Sequence, residues 1–115
     1  MDEITVTGPT KFIKLDNGLI TEIEVTPADF GLPIHDGKEL SGGNAFQNAT
    51  ALLELLKGKN SVYMDIVLMN CSAVLNIHGS VTNLKDGVIM AAQEIDNGNA
   101  LDVLNKYKLF SQAQT

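Results

Sequence analysis

Polar and apolar residues follow two different periods along this chain, and the change falls near residue 40. Before it, Thr10-Lys11-Phe12-Ile13-Lys14-Leu15 and Leu19-Ile20-Thr21-Glu22-Ile23-Glu24-Val25 are short runs rich in β-branched residues, separated by Asp16-Asn17-Gly18. Asn-Gly supplies the positive φ angles of a tight turn, so the pattern predicts a two-stranded antiparallel hairpin. In the second run Leu19, Thr21, Ile23 and Val25 share one face while Glu22 and Glu24 occupy the other. That alternation predicts one buried face and one wet face. Pro27, Gly31, Pro33 and Gly37 then mark an irregular connection that suits neither helix nor strand.

From Asn44 onward the period is helical. Ala45, Ala49, Leu52, Leu53 and Leu56 form one apolar stripe, with Asn44 and Gln47 spaced as a capping box and Gly58 as the exit. A second helix, Ser61 to His78, is apolar around most of its circumference and belongs in the middle of the fold. A third starts near Asn83 and carries Leu84, Val88, Ala91, Ala92 and Ile95 up to an Asn97-Gly98 stop. A fourth begins near Asn99, with Leu101, Leu104 and Lys108 on one side and Val103, Tyr107 and Phe110 on another, and is expected to fray from Ser111 to Thr115. Strands first and helices after give an α+β unit over 1–115, with 1–40 as hairpin and loop and 41–115 helical. A lone hairpin is marginal in water and its edges expose unpaired backbone groups. The unit therefore reads as a fragment of an α/β domain whose other strands lie elsewhere.

Composition narrows the function classes. The 115 residues allow one domain with a real core, and a compact chain of this length has a radius of gyration of about 13 Å. All eight cations are Lys, and the net charge is −6. A surface that tracks nucleic-acid phosphates needs clustered Lys and Arg, so that class is disfavoured. A single cysteine, Cys71, excludes an intrachain disulfide and points to a reducing, cytoplasmic setting. The stretch from Val62 to Ile77 is interrupted by Asp65, Asn70 and Asn76, which argues against a membrane span, and the N-terminus lacks a secretory pattern.

Few residues offer chemistry by themselves. Asp2-Glu3 is an adjacent carboxylate pair of the kind Mg²⁺ uses, and equally of the kind that sits idle on surfaces. Thr5, Thr7 and Thr10 surround Gly8-Pro9 and read as a loop entering a strand, with a polar site as the alternative. Ser41-Gly42-Gly43-Asn44 precedes a helix N-terminus but lacks the Lys and spacing of a phosphate loop. His35 and His78 have no carboxylate or Cys at ligand spacing and read as surface or helix-end residues. Cys71 reads as a small hydrophobe within its helix, whereas Asp65 and Asn70 need partners if buried. No self-sufficient active site emerges.

Taken in order, several stretches resemble one family. Asp2-Glu3-Ile4-Thr5 with Thr7-Gly8-Pro9-Thr10, then Thr26-Pro27-Ala28-Asp29-Phe30-Gly31-Leu32, then Leu40-Ser41-Gly42-Gly43-Asn44-Ala45 are similar to segments of anthranilate phosphoribosyltransferases. Asp65 through Asn70, Gly87-Val88, Ala91-Ala92 and Ile95-Asp96-Asn97-Gly98 continue the match over essentially the whole chain. The resemblance is to the C-terminal portion of the family's catalytic α/β domain. It implies transfer of a phosphoribosyl group from phosphoribosyl pyrophosphate to anthranilate, a step of tryptophan biosynthesis. It also implies that Asp2 and Glu3 ligate Mg²⁺, with Glu3 thereby facing the substrate's pyrophosphate. Asn44 stands where the family usually shows Asp, a change between two good helix caps.

The family's N-terminal helical domain, its Gly-Thr-Gly-Gly-Asp loop, its Lys-His-Gly-Asn segment and its anthranilate-contacting arginine are not in this chain. Met1 stands where the family has interior chain. The expectation is therefore a part that is inactive alone, supplies metal ligands and scaffold, and needs the N-terminal part of the enzyme as partner. The alternative is a structural module that forms a homo-oligomer through its hairpin edge or a helix face.

Overall fold

A computed structural model describes residues 2–114, so the expectations for Met1 and for fraying at Thr115 lie outside the described residues. The hairpin pairs β1 (Thr10–Asp16) with β2 (Leu19–Val25) antiparallel, from Thr10 opposite Val25 to Asp16 opposite Leu19. Its turn sits on Asn17 at φ 49° and Gly18 at φ 81°, the left-handed pair that the Asn-Gly sequence supplies at least cost. Four helices follow: α1 (Ala45–Leu56), α2 (Val62–His78), α3 (Leu84–Asp96) and α4 (Asn99–Ala113). No helix among the described residues is long and apolar enough to cross a membrane.

Helix starts follow local chemistry. Asn44 Oδ1 accepts from the Gln47 amide and Gln47 Oε1 from the Asn44 amide, both at 2.9 Å, closing the expected capping box of α1. Ser61 and Asn83 cap α2 and α3 by accepting from the amides of Met64 and Asp86. The connection holds more order than its Pro and Gly suggested, with 3₁₀ turns over Pro27–Phe30 and Gly37–Leu40. In the first, Pro27 presets the opening φ and Asp29 Oδ2 accepts from the Thr26 amide at 2.7 Å, which drives Phe30 inward.

Helix α2 is central, as its apolar circumference predicted. It gives Val62 and Met69 to a cluster with Val6, Val25 and Phe30, and Met64 and Leu68 to another with Leu55, Ala91 and Ile95. Helix α3 lies against α2 at very short range. Ser72, 0% exposed, donates its hydroxyl to the Leu84 carbonyl at 2.6 Å, and Gly87 leaves room for the Ser72 backbone.

Three expectations need correction. The face of β2 is buried only near its end, at Val25 and partly at Ile23, while Leu19 is 65% exposed, because α2 and residues 4–6 reach only that end of the hairpin. Helix α4 continues through Ser111 and Gln112 to Ala113 instead of fraying at Ser111. Cys71 faces outward rather than into the core, since the α2 face it occupies lacks a covering element. The Cα radius of gyration is 15.5 Å, above the about 13 Å of a compact chain this long. Ile13, Leu15, Ile20, Val74 and Ile77 are correspondingly exposed around the hairpin and the end of α2.

Candidate metal site

The acidic pair lies at the mouth of an open cavity. Asp2 and Glu3 are exposed, and Glu3 lines a hollow of about 320 Å³ with Leu40, Tyr63, Ile66, Val67 and Asn70. The segment behind them is held firmly although it has no strand partner. The Asn70 side chain accepts from the Ile4 amide at 3.0 Å and donates to the Ile4 carbonyl at 3.0 Å and to the Ile66 carbonyl at 2.9 Å. Val6 is fully buried, and its carbonyl accepts from the His35 amide at 2.9 Å. Residues 4–6 are thus pinned between α2 and the connection.

The other candidates resolve in turn. The Thr5 amide donates to Thr10 Oγ1 at 3.1 Å, and the Thr5 and Thr7 hydroxyls bond each other at 2.8 Å, which makes this stretch the self-satisfied loop that was expected. At Ser41–Asn44 the amides of Gly43 and Asn44 donate to Asn48 and Gln47 side chains, leaving them unavailable to an anion. His35 Nε2 lies 2.7 Å from Asp65 Oδ2, a half-buried pair that ties the connection to α2 and satisfies the lone acid of that helix. Thirty residues separate the two, so ligand spacing gave no sign of the pair. His78 ends α2, as its position before Gly79 predicts, with Nδ1 2.8 Å from Ser80 Oγ. Partial burial pushes the Cys71 thiol pKa up, so this side chain holds little thiolate at neutral pH.

The donor set fits a hard cation and not a closed site. Among the described residues no group of three or more His, Cys, Asp or Glu gathers in one place. Two exposed carboxylates beside an open hollow suit Mg²⁺, which keeps several waters and completes its shell with phosphate oxygens.

The hairpin, the helices and this half-built acidic site belong to a known transferase architecture. The chain is a member of the glycosyl transferase family and carries its a/b domain, whose family model matches residues 1–101. Within that family it is similar to anthranilate phosphoribosyltransferases. It is 49% identical to the one from Brucella ovis over 106 residues, 92% of this chain and 31% of that protein. The Saccharomyces cerevisiae enzyme in complex with phosphoribosyl pyrophosphate and Mg superposes with a TM-score of 0.82 at 29% identity, over 91% of this chain and 30% of that one. The enzyme from Thermus thermophilus gives 0.84 at 28% identity, over 96% and 32%. The chain thus spans about a third of the length of the relatives it matches.

Proposed function

We propose that this chain supplies the C-terminal part of a cytoplasmic anthranilate phosphoribosyltransferase, with Asp2 and Glu3 as ligands for Mg²⁺ and through it for the pyrophosphate of phosphoribosyl pyrophosphate. The observation that carries the reading is the acidic pair, held by the Ile4 clamp at an open hollow in a chain that matches these enzymes over nine-tenths of its length. Mg²⁺ would neutralise charge developing on the leaving pyrophosphate. The residues of this chain do the rest of their work by position. Asp2 and Glu3 present carboxylate oxygens, and the segment from Ile4 to Val6 keeps them beside α2. The exposed apolar surface of Ile13, Leu15, Ile20, Val74 and Ile77 is the seat for the remaining part of the enzyme.

Alone, the chain is expected to form no phosphoribosylanthranilate, since the anthranilate-contacting arginine of the family has no counterpart in a sequence without Arg. It is nonetheless expected to respond to Mg²⁺ with phosphoribosyl pyrophosphate, as amide NMR shifts confined to Asp2–Thr7 and the rim of the hollow. The double substitution Asp2→Asn, Glu3→Gln is expected to abolish those shifts and leave the core amides in place. Shifts that persist in the double variant would place the cation elsewhere.

A further inference from the structure

We infer that Asn70 is the positioning residue of the acidic pair, an inference that rests on the metal role proposed for Asp2 and Glu3. Asn70 lies in the middle of α2, 66 residues from Ile4, yet its carboxamide meets the Ile4 backbone as a neighbouring strand would. One oxygen takes the Ile4 amide proton, and one N–H gives to the Ile4 carbonyl. The second N–H goes to the Ile66 carbonyl on α2 itself, which fixes the carboxamide in one rotamer. Both side-chain donors are therefore used, and the O and N assignment follows from the partners: an amide donor on one side and two carbonyls on the other.

The clamp acts on the residue that directly follows Glu3. A metal site needs its carboxylates held within a fraction of an ångström, and an extended segment outside any sheet does not hold itself. Val6 anchors the segment two residues further along by burial, and Asn70 is the group that fixes the end nearest the acids. Asn70 also lines the same hollow as Glu3, so the clamp and the carboxylate share one wall. An Asp at this position would keep the oxygen but lose both donors, and would set a carboxylate against the carbonyls of Ile4 and Ile66. Only an amide of this length serves all three partners.

The test uses Mn²⁺ alone as a paramagnetic probe on the full chain, together with amide hydrogen exchange. In the unaltered chain the Ile4 amide and the Asn70 side-chain NH₂ are expected to be protected from exchange and broadened by Mn²⁺. Asn70→Ala and the isosteric Asn70→Asp are each expected to speed Ile4 exchange by roughly an order of magnitude, with α3 amides unchanged. Both are expected to weaken Mn²⁺ binding by roughly 10- to 100-fold, the usual effect of losing a group that orients a ligand. Unchanged Mn²⁺ affinity in a folded Asn70 variant, with binding still abolished by Asp2→Asn, Glu3→Gln, overturns the positioning role and leaves the metal reading standing. An unprotected Ile4 amide in the unaltered chain overturns it without any variant. Mn²⁺ that ignores the acidic pair overturns the metal reading, and this inference with it.

Discussion

Phe30→Ala is expected to remove about 3–5 kcal/mol of stability, the usual loss for emptying a buried aromatic site. Phe30 is 1% exposed and packs with Val6, Val25, Val62 and Met69, so it joins the hairpin, the connection, α2 and the N-terminal segment in one cluster. Domains of this size have roughly 5–15 kcal/mol in total, and one with uncovered faces has little to spare. Urea titration measures the loss as a lower midpoint. Phe46 is the control: it is 80% exposed, and Phe46→Ala is expected to change stability by no more than about 0.5 kcal/mol. A loss under about 1 kcal/mol for Phe30→Ala would show that this cluster does not hold the fold together.

Gly87→Ala is expected to cost about 1–3 kcal/mol, although alanine is the better helix former. A Cβ at Gly87 would stand 2.8 Å from Ser72 Cβ and 2.9 Å from Ser72 Cα, closer than carbon atoms pack. A flexible side-chain end could swing away, but the Cα of a central helix cannot, so α3 would have to move off α2. That shift would also stretch the 2.6 Å bond from Ser72 Oγ to the Leu84 carbonyl. The cause has its own signature. Ser72→Gly removes two of the three clashing atoms, so the double variant is expected to be more stable than the sum of the single losses by at least about 1 kcal/mol. Additive losses measured by denaturation would mean that the close approach is not the reason for glycine here.

These positions show where sequence reading succeeds and where it stops. Helix starts at Asn44, Ser61 and Asn83 are legible because a cap and its amide lie three residues apart. The Asn17-Gly18 turn is legible because it demands a backbone that few residues adopt. Asn70 stands out as a polar residue needing a partner, but its partner is 66 residues away and no local period reveals it. The same holds for His35 with Asp65 and for Gly87 with Ser72, which meet only once α2 has been packed. The exposed Leu19 end of β2 departs from its pattern for the converse reason. Alternation shows which face could be buried, while burial itself depends on an element to cover it, and none of the chain's own reaches that far. The acidic pair stands out as chemistry, and the resemblance of the surrounding motifs gives it a role that spacing alone does not.

The central claim is that this chain works as the C-terminal part of a phosphoribosyltransferase active site. Its most direct test is a chimera in which the segment of the Brucella ovis enzyme that this chain matches over 106 residues is replaced by the corresponding residues of this chain. Phosphoribosylanthranilate is expected to form from anthranilate and phosphoribosyl pyrophosphate with Mg²⁺, and to be lost when Asp2 and Glu3 are changed to Asn and Gln. A folded chimera that makes no product, or one whose activity survives the loss of both carboxylates, would contradict the account.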